Sequence, residues 1–166
     1  MSDAKRQWLG IDPAERNWML VSLVVLVVFA GAVAVGAFVS GFQLPGVHER
    51  VDPRTVASEG EFANPGLREV GASQYEAYLL SRQFSFEPRE ITVPVGSTVT
   101  FFVTSVDVQH GMKIQGTNVN MQVVPGHVST LTATFDEPGV YPYICTEFCG
   151  LGHAGMFGQV IVEETT

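Results

Sequence analysis

A chain of 166 residues with a formal net charge of −8 has room for one small domain and something beside it. That charge excludes a nucleic-acid partner, because phosphate binding needs a basic patch. Lys5 and Lys113 are the only lysines, an acidic and lysine-poor balance that fits a saline habitat.

Residues 1–17 are polar, carry Lys5, Arg6 and Arg16, and read as a cytoplasmic N-terminal segment. From Trp18 to Phe42 the chain holds no charge at all. About 20 apolar residues span a bilayer core, whereas the apolar part of a secretory signal has only about 7–15. The Ala and Gly residues at 30–37 imitate a cleavage site, but the run is too long for a leader, and it has no polar face to suit a core helix. A single transmembrane helix is predicted over 18–42, with Trp8 and Trp18 near one interface. Three basic residues precede the span, and Arg50 and Arg54 follow it. That bias puts the N-terminus inside and the long C-terminal part outside.

Residues 43–74 are rich in Pro, Gly and charge, and read as a linker in which His48 is solvated. From Tyr75 the character changes. An aromatic stretch reaches Phe86 through Phe84, and short β-type runs follow at 88–96, 98–104, 112–114, 118–124, 130–135, 140–144 and 159–163. Turn signals such as Pro125-Gly126-His127 and Glu137-Pro138-Gly139 separate them. Short strands at this spacing indicate a β-sandwich or barrel over 75–166, and nothing in the pattern is a βαβ unit.

The densest chemistry lies in Cys145-Thr-Glu-Phe-Cys-Gly-Leu-Gly-His-Ala-Gly-Met156, which holds the chain's only two cysteines, an imidazole and a thioether. Soft sulfur ligands with imidazole select copper, zinc or iron–sulfur over calcium or magnesium. Helical spacing would put 145, 149, 153 and 156 on one face. Gly150, Gly152 and Gly155 each cost about 1 kcal/mol in a helix, so a loop wrapped round a metal is predicted instead.

Three readings of this stretch compete. A Cys145–Cys149 disulfide would be ordinary outside the membrane, and would leave His153 a surface residue and Met156 a core one. A structural zinc could take both cysteines, His153 and His110, with the thioether unexplained. Copper uses every one of these groups. His110 sits in Asp107-Val-Gln-His-Gly-Met, a loop between strands, and can reach the Cys145–Met156 loop if both lie at one end of a sandwich. His127 reads as exposed in its turn, and Met112 and Met121 as core filling. A single blue copper needs two His, one Cys and a weak axial Met, which leaves the second cysteine idle. Two thiolates can instead bridge two coppers, with one His on each, and such a closed site suits electron transfer.

The run Cys145-x-Glu-x-Cys-Gly-x-Gly-His-x-x-Met156, with His110 upstream, resembles the dinuclear copper (CuA) motif of subunit II of haem–copper cytochrome c oxidases. The likeness takes in the anchor and all of about 75–166, including Gly116-Thr-Asn-Val-Asn and Pro125-Gly-x-Val-Ser-Thr. It implies a mainly β, cupredoxin-like domain on the outer face of a prokaryotic plasma membrane. The domain would be bound to a subunit I that carries haems and CuB, with a further small helical subunit also possible. By the motif, Cys145 and Cys149 bridge both coppers, His110 and Met156 ligate one, and His153 and the backbone carbonyl of Glu147 ligate the other. The resemblance further implies one-electron relay from a cytochrome c or a small blue copper protein to haems that reduce oxygen with proton pumping. One span rather than two resembles the B-type oxidases. The docking tryptophan of A-type relatives is absent, and Phe84 and Phe86 stand in the corresponding stretch. Magnesium could bind the Glu147 side chain at the subunit interface, or that carboxylate is simply solvated. A CuA subunit of a nitric oxide reductase and a membrane-anchored copper chaperone are the alternatives.

Overall fold

The structure, a computed structural model, describes residue 10 and residues 12–164. The expectations for Lys5, Arg6 and Trp8 lie outside those residues. The chain divides after Phe42 into two units, taken here in turn.

The first unit is the helix α1 (Pro13–Val39). It begins five residues before the uncharged run because its start is set by a cap rather than by hydropathy. Asp12 is the N-cap and its carboxylate accepts the Ala14 N–H at 2.8 Å, while Pro13 lacks the N–H that would go unpaired there. Glu15 in the first turn complements the helix dipole. At the other end Ser40 N–H donates to the Gly36 carbonyl. Length and composition suffice to cross a membrane.

The second unit is two β-sheets. One contains β1 (Gly46–Arg50), β2 (Gly66–Gly71), β3 (Gln74–Arg82), β4 (Ser85–Glu87), β6 (Ser97–Ser105) and β9 (His127–Phe135), in the order β1-β9-β6-β3-β2, with β4 on β3. The other runs β5-β11-β10-β7-β8, from β5 (Glu90–Pro94), β7 (His110–Ile114), β8 (Asn120–Val123), β10 (Gly139–Ile144) and β11 (Phe157–Glu163). The pairs β3–β6 and β5–β11 are parallel and the rest antiparallel. Alternation sets what each strand buries. In β11, Gly158, Val160 and Val162 point inward and their neighbours do not. Val99, Phe101 and Val103 of the first sheet meet Met112, Ile114, Met121 and Val160 of the second in one core. Met112 and Met121 are thus core filling, as expected. The architecture is the mainly β, cupredoxin-like sandwich anticipated, with strands from before residue 75 in its first sheet.

The segment 43–74, expected as a linker, carries β1 and β2 and covers a sheet. Val56 and Phe62 pack with Leu80, Phe102 and Val128 in a second cluster. This explains why Phe101 and Phe102, successive residues of β6, are both buried: the strand has protein on both faces. Burying Val56 and Phe62 contributes about 1.5–3 kcal/mol each. His48 is exposed, as expected, but it lies on β1 with its ring edge-on to Phe102 at 4.9 Å.

Candidate metal centre

Register brings the ligand-bearing segments together. Tyr143 and Ile144 at the end of β10 pair with Ile114 and Lys113 of β7, so the start of β7 extends past β10 towards the loop that follows. His110 is therefore the first residue of β7 rather than part of a loop. It is fully buried. The loop from Cys145 closes at its base where Cys145 N–H donates to the Met156 carbonyl at 3.1 Å. It is not an α-helix; a single 3₁₀ turn covers His153–Gly155. Gly111 lets this loop approach, since a Cβ there would meet the Thr146 side chain and come within 3.2 Å of Glu147 N.

The five side chains and one carbonyl singled out in the sequence converge. Cys145 Sγ lies 3.8 Å from His110 Nδ1, 3.2 Å from the Glu147 carbonyl oxygen and 4.0 Å from Cys149 Sγ. Cys149 Sγ lies 3.7 Å from His153 Nδ1 and 3.7 Å from Met156 Sδ. A disulfide needs sulfurs about 2.05 Å apart, so these are separate thiols. Donor atoms this close together could share a metal. Cys145, Cys149, His110 and Met156 are buried and His153 is half-buried. The donor set fits copper.

Asp107, three residues before His110, was not singled out in the sequence. Its Oδ1 faces His110 Nε2 at 2.9 Å, which leaves Nδ1 to face the sulfur. Burial pushes its carboxyl up, but the backbone N–H of Gln83, the His110 ring and the Val108 N–H outweigh that and hold it below the usual aspartate value. Gln83 is the second residue that sequence reasoning missed. Its side-chain amide donates to the Cys149 carbonyl, 66 positions away, and no local pattern marks such a pair.

Phe84 and Phe86 part company. Phe84 is 39% exposed and its ring lies over Gly150 and Gly152. Phe86 is 1% exposed and packs edge-on against Tyr143, with ring centroids 5.4 Å apart. It therefore lies in the core, whereas Phe84 reaches the surface. His127 is half-buried on β9 rather than exposed in a turn, because that strand begins with it. It lines a cleft of about 750 Å³ together with Gln122, Thr146 and the half-buried Glu147. Among the described residues, the His, Cys, Asp and Glu groups within joint ligating reach are His110, Cys145 and Cys149, and Glu147 is not among them.

Burial first, and the adjacent Cys145 thiol second, push the Cys149 thiol up to about 11. At neutral pH it is therefore protonated without metal, and a metal that needs the thiolate must displace that proton. Cu(I) affinity measured by competition between about pH 6 and pH 9 is expected to rise about tenfold per pH unit for each proton released. A flat profile would contradict this.

Residues 75–165 match the family described as cytochrome c oxidase subunit II, periplasmic domain. The chain is similar to a cytochrome c oxidase subunit 2 of Thermus thermophilus, 41% identical over 168 aligned residues that take in 99% of this chain and 100% of that one. Among solved structures it is similar to a chain of a haem–copper terminal oxidase dimer, with a TM-score of 0.73 and 37% identity over 90% of this chain and 99% of that one. Its fold is also that of the periplasmic domain of oxidase subunit II from Bradyrhizobium japonicum, with a TM-score of 0.50 and 22% identity over 54% of this chain and 83% of that one.

Proposed function

We propose that this chain, which belongs to the cytochrome c oxidase subunit II family, takes up single electrons at a two-copper centre and passes them to the haems of a partner subunit I. The observation that carries this is a pair of buried thiols 4.0 Å apart, with His110 beside one and His153 beside the other. Cys145 and Cys149 would bridge the metals, and His110, His153, Met156 and the Glu147 carbonyl would complete them. Copper supplies the one-electron chemistry. The chain supplies a water-poor cradle in which no ligand need move when the charge changes. The β-sandwich context disfavours a chaperone reading, which calls for a thioredoxin-like βαβ unit.

The rest of the reading follows from membership of an oxidoreductase complex. Residues 1–17 would lie inside and 18–42 in a prokaryotic plasma membrane, with the copper domain of 75–166 outside. Phe84, Phe148 and Leu151 are exposed apolar residues on or over the ligand loop, a surface suited to a cytochrome c or a small copper protein. Glu147 could lend its carboxylate to a magnesium ion only with ligands from the partner. The partner would reduce oxygen to water and pump protons.

The test is metal analysis and electron paramagnetic resonance on the chain purified with its partner. Two coppers per chain, with one unpaired electron coupled equally to both nuclei, are expected. One copper, a zinc or a cystine would overturn the proposal. Haems in the co-purified large subunit distinguish the oxygen-reducing assignment from a plain copper carrier.

A further inference from the structure

Gln83 hydrogen-bonds both to Asp107, three residues before His110, and to the Cys145–Met156 loop. Gln83 follows β3 and is exposed. Its backbone N–H donates to Asp107 Oδ2 at 2.7 Å, and its side-chain amide donates to the Cys149 carbonyl. The other Asp107 oxygen accepts the Val108 N–H at 2.6 Å and faces His110 Nε2 at 2.9 Å. An unbroken chain of hydrogen bonds therefore runs from His110 through Asp107 and Gln83 to Cys149. Alongside it, Phe84 leaves no room on the same turn, since a Cβ at Gly150 would lie 3.0 Å from its ring.

We propose that Gln83 is a positioning residue of the metal centre, tying the segment that carries His110 to the loop that carries Cys149. What it positions rests on the two-copper reading; the tie itself is a property of this chain's own residues. A ligand aimed by an outer hydrogen bond keeps its orientation when the metal changes charge. Here one outer residue holds both Asp107, which faces His110 at the start of β7, and the loop of Cys149, so the separation of the two ligands is set before any metal arrives. The exposure of Gln83 also means that little packing is lost when it is replaced, which isolates the hydrogen bond from the core.

Gln83→Leu keeps the bulk and removes the side-chain donor, while the backbone N–H to Asp107 persists. Gln83→Glu keeps the shape and turns an acceptor towards the Cys149 carbonyl. Hydrogen exchange across residues 149–153 of the full chain, in detergent and free of metal, is expected to be about tenfold faster in Gln83→Leu, as one lost hydrogen bond allows. Gln83→Glu should exchange faster still. After copper loading, both variants should hold as much copper as the parent but show an altered hyperfine pattern. Unchanged exchange in Gln83→Leu overturns the proposal, and so does an unaltered hyperfine pattern in both variants. If the parent chain itself holds no copper pair, the two-copper reading falls, and the exchange experiment still decides the tie.

Discussion

If the centre holds two coppers as proposed, replacing Cys149 by serine is expected to abolish the two-metal state. The substitution removes the atom that lies within 4.0 Å of Cys145 Sγ, Met156 Sδ and His153 Nδ1 alike, so it takes away the hub of the site rather than one arm. A serine hydroxyl is a hard, protonated oxygen and a poor ligand for copper beside thiolate and thioether. The remaining donors, Cys145, His110, His153, Met156 and the Glu147 carbonyl, include a single thiolate and would hold one copper at most. Copper content should fall from two per chain to one or none, and the shared-electron signal should vanish. Electron uptake from a donor should drop at least about a hundredfold, which is the upper end of what losing a mere outer partner costs. The fold should survive, because residue 149 lies in a loop and no strand pairing depends on it. A variant that kept two coppers and the parent spectrum would sink the bridging role.

The second large effect separates two phenylalanines. Phe86→Ala is expected to destabilise the outer domain by about 3–5 kcal/mol, as other buried aromatic truncations do. Its ring is sealed in the core against Tyr143, and Tyr143 is itself held where its hydroxyl donates to the Pro88 carbonyl at 2.7 Å. Phe84→Ala should cost far less stability, since that ring is 39% exposed. It should instead slow electron uptake and uncover Gly150 and Gly152. Chemical denaturation and donor-to-copper kinetics on the two variants, compared per folded and copper-loaded molecule, check both halves. Equal stability losses would contradict the assignment of one ring to the core and the other to the surface.

These two residues also mark where sequence patterns stop. Positions 84 and 86 have the same parity, so strand alternation puts them on one face. They differ because β3 ends at Arg82 and β4 begins at Ser85, leaving Phe84 in the connection between them. The segment 43–74 misleads for a related reason. Only Val56 and Phe62 in it are buried apolar residues, too few to make a periodic signal, yet enough to seal the outer face of a sheet.

What the amino-acid order determines by itself is whatever is written locally. The charge-free run from 18 to 42, the alternating strands and the ligand spacing from Cys145 to Met156 each lie within one short continuous stretch of chain. Tertiary structure decides the rest: that His110 meets a sulfur 35 positions away, that Asp107 selects which of its nitrogens does so, and that Gln83 reaches Cys149. Those contacts depend on which strands pair and in which register, a property of the whole sheet that no short stretch encodes.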